Sequence, residues 1–559
     1  MSTAVPLPSP TTSSILEKSP SRSSSSSPST TPLENAEMPT KAPGPGRDLR
    51  FWLVFLSICC SLFLSALDLT AISTALPSIA ADLRSGSDYS WVGSAYTLSS
   101  TALIPVTLSI ATIVGRRPVM LGSIGLFAIG SAVCGSAQSM PIMILGRTIQ
   151  GAGGGAILAV VEIIVVDLVP IAERGIFFGI IGMVWAMASA IGPPLAGALA
   201  SRGAWRWLFY LNLPVCGLAL ILVFFFLRVK APKTTFREKL DQIDWFTALF
   251  VAAATSAIIG LTWGGVTYSW SSPRVLVPLI LGLVGIVVYI YLERFAKHPV
   301  VPFSILSTRT AIAGYVTTFL HGIIVLAVLY FLPVYFQANK GQTAVESGVS
   351  TFSLSFTIAP MAIFAGIIVQ ATGHYWAQNV VGWILATVGL GLMTLIKADS
   401  SKGAWVGYPA MLGLGLGLLY SGTNFAVLAP VTPREQPFAT ALYAFVRAFG
   451  QVFGIAIGST ILQNRLSTAL PPAFAEQFGS GGEIAFAAIP VIRTLNEPLR
   501  TEVETAFADS IRTIWIAMTA LAAVGFLTSL LIKSLPLSTE VDEAWGLERK
   551  EKVSDEAKA

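Results

Sequence analysis

The stretch "FWLVFLSICCSLFLSALDLTAIST", from Phe51 to Thr74, is apolar along most of its length and contains one charged residue, Asp68. A bilayer core requires about 20 predominantly apolar residues in helical conformation. A carboxylate at membrane depth costs about 3 kcal/mol on insertion scales, so such a residue indicates a functional site by default. The stretch therefore predicts a transmembrane helix that carries a functional charge.

The composition extends this prediction to the whole chain. Of its 559 residues, 53% are hydrophobic and 12% are charged, and the mean hydropathy is +0.71. A soluble globular chain carries about 25% charged residues, so the balance indicates a polytopic membrane protein. The net charge of +5 is small, and no basic patch with interleaved aromatic residues predicts a nucleic-acid partner. All four cysteines lie in apolar runs, which favours small buried side chains over disulfides.

Fourteen segments are long and apolar enough to be membrane spans. The predicted spans are 51–74, 90–114, 118–137, 141–166, 175–200, 207–227, 245–264, 275–291, 311–336, 350–372, 380–396, 405–428, 440–462 and 513–532. Lys and Arg are more frequent in the loops on one side, and the positive-inside rule then places both termini in the cytoplasm. We expect an all-α protein with two six-helix halves and an inserted two-helix hairpin.

Glycine-rich stretches support this division. "GAGGGA" (151–156) and "GLGLGLL" (413–419) each fall in the fourth helix of a half once the hairpin is set aside. Such internal symmetry is typical of transporters built from repeats, although close helix packing also explains the glycines, and both readings can hold. The predicted organisation is a disordered Ser/Pro-rich cytoplasmic tail at 1–50, a first half at 51–228, a cytoplasmic linker at 229–243, the hairpin at 244–292, a second half at 293–533 with an external loop at 463–512, and a cytoplasmic tail at 534–559.

Two of the ionisable residues inside the predicted spans lie at matching depths. With a rise of about 1.5 Å per residue, Asp68 and Arg147 both lie roughly 10 Å below the outer ends of their helices. They can therefore pair if those helices are neighbours. The pair is either a fixed salt bridge between two helices or a site at which Asp68 exchanges a proton.

Three further polar residues lie inside spans. Glu162 falls near the cytoplasmic end of its span, where we expect a hydrated carboxylate, with proton transfer as the alternative. Arg447 lies two turns into the thirteenth span and is expected to reach the headgroups by snorkelling. His321 is either a proton relay or a hydrogen-bonded packing residue.

The fifth span contains "AMASAIGPPLAGALA" (186–200), in which Gly192, Pro193, Pro194 and Gly197 lie within about two turns. Proline removes a backbone hydrogen bond and kinks a helix, and glycine allows a neighbouring helix to approach. The pattern is consistent with a hinge between the two halves or with a static kink.

Taken together, these motifs resemble the major facilitator superfamily, and within it the fourteen-span drug/proton antiporters, particularly fungal drug and toxin efflux pumps. The resemblance covers about Arg50 to Lys533. "LDLTAISTALPSIA" resembles the first-span motif Leu-Asp-x-Thr-x-x-Asn-x-Ala-Leu-Pro, with Ser73 where Asn is usual. "RTIQGAGGGA" resembles the fourth-span motif through Arg147, Gln150 and Gly151. This resemblance implies a role of Arg147 in proton coupling.

Two further motifs carry the resemblance. "AIGPPLAG" is similar to the antiporter motif Gly-Pro-x-x-Gly-Gly through Gly192, Pro193 and Gly197, with Ala196 in place of the first glycine of the pair. "WRWLFYLNLP", from Trp205 to Pro214, is similar to the family's entry to the sixth span.

The loop between spans two and three departs from the family pattern Gly-x-Leu-x-Asp-x-x-Gly-Arg-Arg. "LSIATIVGRRP" (108–118) retains Gly115, Arg116 and Arg117 but has Leu108 and Thr112 where the pattern has Gly and Asp. The resemblance implies that the missing Asp helps to hold a cytoplasmic gate. Either the outward-open state is less favoured here, or another contact, such as one from Asp167 or Glu173, replaces it.

The resemblance implies a secondary active transporter that exports small, largely apolar organic compounds (drugs, toxins or secondary metabolites) by proton antiport with alternating access. It would need no cofactor because the proton gradient drives it, and its partners would be the substrate, protons and the bilayer. We expect a monomer in the cell membrane, with a vacuolar or vesicle membrane as the alternative. Aromatic candidates for the substrate-binding wall are Trp185, Phe319, Tyr330 and Phe356.

Two other functions are considered. Import, for example of an iron chelate, is an alternative within the superfamily, and the fifth-span Gly-Pro motif favours export over it. A polytopic membrane enzyme is the distant alternative. The sequence contains no Gly-x-x-x-x-Gly-Lys-Ser/Thr loop and no His-Glu-x-x-His motif, so we expect no enzyme.

Overall fold

The computed structural model describes residues 48–83, 91–229, 246–265, 268–297, 299–475 and 484–537. Three predicted segments lie almost entirely outside these ranges, namely the tail at 1–50, the linker at 229–243 and the tail at 534–559.

Fourteen helices of the described chain are long and apolar enough to cross a membrane, as predicted. They are α1 Leu49–Asp82, α2 Trp91–Val114, α3 Arg116–Gly135, α4 Met140–Leu168, α5 Ile171–Ala200, α6 Trp207–Phe226, α7 Phe246–Trp263, α8 Pro273–Leu292, α9 Arg309–Asn339, α10 Phe352–Thr372, α11 Trp376–Met393, α12 Lys402–Leu428, α13 Gln436–Ala469 and α14 Leu499–Ser529. Within the described ranges no strand is present, and one isolated bridge joins Gly264 and Tyr268.

The predicted loop at 463–512 is shorter in the structure. Helix α13 continues to Ala469 and α14 begins at Leu499, and a further helix, Ile484–Ile492, lies between them. The first turns of α14 are amphipathic: Val503 and Phe507 are buried, whereas Glu502 is exposed. A search for uniformly apolar segments misses such turns because their polar face lowers the mean hydropathy.

Each half repeats one packing scheme. Helix α4 packs against α2 and α3, and α12 packs against α10 and α11 in the same way. Glycines make both contacts close. A Cβ at Gly153 of α4 would lie 2.5 Å from the Phe127 nitrogen of α3, and a Cβ at Gly415 of α12 would lie 2.5 Å from the Ala386 nitrogen of α11. The glycine-rich stretches are therefore equivalent packing elements of two related halves.

The hairpin of α7 and α8 lies beside the place where the halves meet. Helix α7 packs against α2 and α13, and α8 packs against α7. The outer face of α8 is strongly apolar and exposed, with Leu281 at 63% and Val287 at 67% exposure. This is the composition expected of a face in contact with lipid.

The halves contact each other most extensively through α5 with α10, and also through α2 with α13, α4 with α13 and α5 with α12. At one end of the first pair the backbones almost touch, because a Cβ at Gly175 would lie 2.5 Å from the Gly366 Cα. Near the other end of α5, a Cβ at Gly348, which lies in the short helix Ala344–Ser350 before α10, would be 3.2 Å from the Pro194 side chain. These pairs enclose the space in which the candidate site lies.

Candidate functional site

A cavity lies between the two halves. Helices α1, α4 and α5 of the first half and α9, α10, α12 and α13 of the second half contribute to its walls. Binding pockets for small molecules are typically lined mostly by apolar side chains. The apolar part of this wall includes Leu62, Leu158, Val161, Ile181, Trp185, Val325, Leu329 and Ile358.

One ion pair crosses the cavity from half to half. Arg447 of α13 donates through Nη2 to Glu162 Oε1 of α4, and both side chains line the cavity. The exposure of Glu162 is 1% and that of Arg447 is 6%. The guanidinium carbon lies 5.5 Å from the ring centroid of Tyr420 and 5.1 Å from that of Tyr443, within the range of cation–π attraction.

These positions correct two expectations. Glu162 is not a hydrated interfacial carboxylate, and Arg447 does not reach outward to the headgroups. Each residue is paired with the other across the interface between the halves. The sequence-based expectations considered the depth of each residue in its own helix and could not include a partner from the other half.

Several buried polar atoms at this cavity have no hydrogen-bond partner among the described residues. They are Glu162 Oε2, Arg447 Nη1, His321 Nδ1 and Ser189 Oγ. The other ring nitrogen of His321, Nε2, lies 3.2 Å from the Leu416 carbonyl oxygen. The Nε2 atom of His321 is thus bonded to the backbone of α12, whereas Nδ1 has no partner among the described residues. His321 lines the cavity, so its Nδ1 is available for a hydrogen bond with a bound molecule.

Asp68 and Arg147 form a second buried ion pair, as the depth argument predicted. The second carboxylate oxygen of Asp68 accepts hydrogen bonds from Gln150 Nε2 at 2.9 Å and from Asn212 Nδ2 at 3.2 Å. Gln150 also donates to Ser131 Oγ at 2.8 Å. The cluster therefore joins four helices of the first half, namely α1, α3, α4 and α6. Neither Asp68 nor Arg147 is among the cavity-lining residues.

Arg147 is held from several sides. Its Nε donates to the Val92 carbonyl at 2.8 Å, and its Nη1 also donates to Gln150 Oε1 at 2.7 Å. The ring centroid of Tyr96 lies 4.5 Å from the guanidinium carbon, and the Tyr96 hydroxyl is hydrogen-bonded to Ser65 Oγ at 2.8 Å. These contacts hold the guanidinium in addition to the ion pair with Asp68.

Asn212 is a member of this cluster that sequence reasoning did not single out. It lies in the quoted stretch Trp205–Pro214, where α6 resumes after an interruption at Leu211. A polar amide near the start of an apolar span was the available signal. Its role depends on α1 and α6 being neighbours, which only the fold specifies.

Beside the loop between α2 and α3, Arg116 is paired with an acidic residue of α4. Arg116 Nε donates to Asp167 Oδ2 at 2.9 Å, and both side chains are buried. Thr112 donates to the Ser109 carbonyl of its own helix instead. Gly115, at φ 104°, occupies a backbone conformation that favours glycine. Asp167, one of the two candidates, is therefore ion-paired with Arg116.

Two further basic residues anchor this end of the bundle. Arg117 donates to the Phe224 carbonyl of α6 and lies 4.9 Å above the Phe224 ring. Arg174, which was not predicted as a site residue, donates to the Val166 carbonyl at 2.7 Å and to Gln436 Oε1 at 2.8 Å. Since Gln436 belongs to α13, Arg174 joins the two halves directly.

The Gly-Pro region of α5 packs against α1. Thr74 Oγ1 donates to the Pro193 carbonyl at 3.2 Å, and Thr70 Oγ1 lies 3.4 Å from the Ala188 carbonyl. A Cβ at Gly192 would lie 2.6 Å from Thr70 Oγ1. The Gly197 carbonyl accepts the Ser201 N–H at 3.0 Å, where α5 ends. The hinge function of this region stays a prediction.

The other motif glycine, Gly151, packs α4 against α2. A Cβ there would collide with Ser99 Oγ and the Tyr96 carbonyl.

Of the four aromatic wall candidates, Trp185 lines the cavity. The other three do not. The ring of Phe319 packs 5.2 Å from that of Phe453, and Tyr330 packs 5.2 Å from Phe331. Phe356 is 56% exposed on the outer face of α10. The rotation of a helix about its axis determines which of its aromatic side chains face the cavity. A span that is apolar all round gives little indication of that rotation.

Comparison with known proteins identifies the family of this bundle. The model of the Major Facilitator Superfamily matches residues 58–455. The chain belongs to the major facilitator superfamily. The superfamily assignment makes it an integral membrane transporter of small molecules and not an enzyme.

Curated relatives of this major facilitator match almost its full length. The MFS-type efflux pump LUC4 of Fusarium sp. is 39% identical over 529 residues, which are 92% of this chain and 94% of the relative. The acurin A biosynthesis cluster MFS-type transporter of Aspergillus aculeatus is 35% identical over 514 residues, which are 90% of this chain and 93% of the relative.

A solved structure shares the fold. The proton:xylose symporter XylE aligns with a TM-score of 0.54 at 13% sequence identity and covers 87% of this chain and 98% of its own. This likeness is one of fold.

Proposed function

We propose that this major facilitator exports small, largely apolar organic molecules, such as toxins or secondary metabolites, by proton antiport. The observation that carries the proposal is the mostly apolar cavity that is lined by helices of both halves. Of the relatives, one is named an efflux pump and another belongs to a biosynthesis cluster, and both names support export of a fungal metabolite.

Alternating access follows from the way the halves meet. The cavity is flanked by the pairs α5–α10 and α2–α13, and each pair contains one helix from each half. Rocking of the halves would open these pairs at one end while they close at the other. Arg174 and Gln436 form a polar contact between the halves at the end that holds the α2–α3 loop. In this scheme that contact must break whenever the cavity opens there.

The proton site is assigned to Asp68. As a carboxylate, Asp68 accepts hydrogen bonds from Arg147, Gln150 and Asn212. Protonation removes the charge that offsets Arg147, and the attraction between α1 and α4 weakens. The change reaches α5 through Thr70 and Thr74, which follow Asp68 on α1 and contact α5 carbonyls. Helix α5 in turn packs on α10 of the second half.

The remaining properties follow from this scheme. The proton gradient supplies the energy, so no cofactor is required. The protein works as a monomer in the cell membrane, with both termini in the cytoplasm as the distribution of Lys and Arg favours.

An efflux panel tests the proposed function. Yeast cells that lack their own drug exporters express the full chain and are challenged with lipophilic toxic compounds of several chemical classes, in acidic and in neutral medium. We expect increased resistance and reduced intracellular accumulation for at least one class, with the larger effect in acidic medium. Greater accumulation in expressing cells would indicate import and overturn the proposal, and so would accumulation that is unchanged for every class.

A further inference from the structure

We propose that the molecules bound in this cavity are lipophilic organic acids, whose anionic group binds Arg447 in place of Glu162. The proposal rests on the proposed export function and narrows its substrate class. It assigns the Glu162–Arg447 pair to ligand binding, whereas Asp68 and Arg147 are assigned to the proton.

The first argument is the incomplete bonding of the pair. Arg447 binds Glu162 through Nη2 and Oε1 alone, while Arg447 Nη1 and Glu162 Oε2 have no partner among the described residues. A guanidinium and a carboxylate can form two parallel hydrogen bonds, and this pair uses one. The arrangement leaves Arg447 able to take a better-placed anion from the cavity, which it lines.

The second argument is the charge of the wall. The titratable groups around Arg447 are Glu162 from α4, His321 from α9, Tyr420 from α12 and Tyr443 from its own helix. Because Nε2 of His321 donates to the Leu416 carbonyl, the Nδ1 atom, which has no partner among the described residues, is an acceptor in the neutral ring and can donate to an anion only when the ring is doubly protonated. A cationic ligand would add a second positive charge beside Arg447, and Glu162 alone would have to offset both charges.

The exchange keeps the charge of the cavity constant. A ligand enters as the neutral acid, transfers its acidic proton to the Glu162 carboxylate, and binds Arg447 as the anion. One negative and one positive group are present before and after the step. Burying an uncompensated charge in an apolar space is costly, and this exchange avoids it.

The exchange also affects the contact between the halves. In the empty cavity Glu162 ties α4 to Arg447 of α13. Once a ligand anion replaces Glu162, this direct ion pair between the halves no longer exists. Ligand binding and the loss of this contact between the halves then occur together.

The test uses three probes with one apolar body: 1-pyrenebutyric acid, its methyl ester and 1-pyrenebutylamine. Binding to the full chain in lipid nanodiscs is followed by energy transfer from tryptophan, with protein-free nanodiscs to subtract partitioning into lipid. Because a hydrogen bond to a charged group strengthens binding by about tenfold or more, we expect the acid to bind at least about tenfold more tightly than the ester or the amine.

Variants separate charge recognition from general affinity. Arg447→Gln should abolish the preference for the acid, and Arg447→Lys should retain most of it. Glu162→Gln removes both the competing carboxylate and the proton acceptor, so the probe binds Arg447 directly as the anion, and its binding should strengthen. Thermal unfolding checks that each variant is folded, and Arg447→Lys keeps the test decisive if Arg447→Gln does not fold.

Equal affinities for acid and ester in the native chain, or no binding of the acid, would overturn the proposal. Retention of the preference in Arg447→Gln would also overturn it. This binding assay needs neither a proton gradient nor transport, so its result does not depend on whether the chain exports its ligand. A chain that prefers the acid but shows no efflux would refute the proposed function alone.

Discussion

Glu162 of α4 and Arg447 of α13 form a buried ion pair that joins the two halves of the bundle inside the central cavity. Asp68 and Arg147 form an equally buried pair, but all the helices of that cluster belong to the first half. The protein thus separates a charge pair between its halves from a charge pair within one half. We assign the first to the ligand and the second to the proton.

Breaking the pair between the halves should destabilise the fold. Glu162→Gln leaves Arg447 buried without a counter-charge, and we expect a loss of about 3 kcal/mol in the free energy of unfolding. Adding Arg447→Gln should restore part of it, because the unpaired charge disappears. Unfolding of both single variants and the double variant in detergent measures the coupling.

The matched control for that cycle is Glu504→Gln. Glu504 pairs with Arg500 one turn away on α14, where both side chains are partly exposed. Its loss should cost no more than about 0.5 kcal/mol. Strictly additive effects of the two cavity variants would mean that Glu162 and Arg447 do not interact.

Asp167→Asn should loosen the loop between α2 and α3. Arg116 then remains buried with a neutral partner, so we expect a lower melting temperature and faster amide hydrogen exchange at the start of α3. Arg117→Gln serves as the control, because Arg117 is only half-buried and contacts α6 at Phe224 instead. Unchanged exchange in Asp167→Asn would remove Asp167 as the replacement for the missing acidic residue.

Gly366→Ala should separate the halves at the α5–α10 contact. The new Cβ would collide with the backbone of Gly175 and Ile176, and backbone atoms cannot move aside as a flexible side chain can. We expect a lower melting temperature and impaired transport. Gly391→Ala on α11 is the control, because a Cβ there has no neighbour within 4 Å. Similar behaviour of the two variants would argue against a close contact at Gly366.

The pH dependence of stability should include a small contribution from Asp82, which lies on α1 beyond the span Leu49–Ile72. Hydrogen bonds from Arg206 and Trp205 hold the pKa of Asp82 below its usual range. A lowered pKa stabilises the folded state above the unfolded-state pKa of about 4, and this stabilisation is lost as the pH falls through the folded-state pKa.

The difference in melting temperature between the native chain and Asp82→Asn should therefore be present near neutral pH and shrink below about pH 4. It should remain small because the Asp82 side chain is 48% exposed and solvent screens the pair. A difference that stays constant or grows on acidification would contradict this assignment.

The sequence allowed the Asp68–Arg147 pair to be predicted because the rise of a helix fixes the depth of each charge. The number of spans and the symmetric glycines followed from composition and spacing. Asp167 was one of two candidates for the Arg116 contact, and choosing between them required the packing of α3 against α4.

The pair between the halves could not be predicted in the same way. Glu162 and Arg447 meet because α4 and α13 come together across the cavity, and no local pattern encodes that contact. Arg174 with Gln436, and Asn212 with Asp68, depend on tertiary neighbours for the same reason. The start of α14 was missed because its polar face reduces the hydropathy signal.

Proton coupling at Asp68 is tested most directly by transport in reconstituted vesicles, with a compound that the efflux panel identifies. Uptake into vesicles oriented with the cytoplasmic side outward is measured with and without an acidic interior, for the native chain, Asp68→Asn and the control Asp82→Asn. We expect the pH gradient to drive accumulation by the native chain and by Asp82→Asn. Asp68→Asn should still exchange the compound down its own gradient but gain nothing from the proton gradient. Gradient-driven accumulation by Asp68→Asn at the native rate would contradict the assignment of the proton to Asp68.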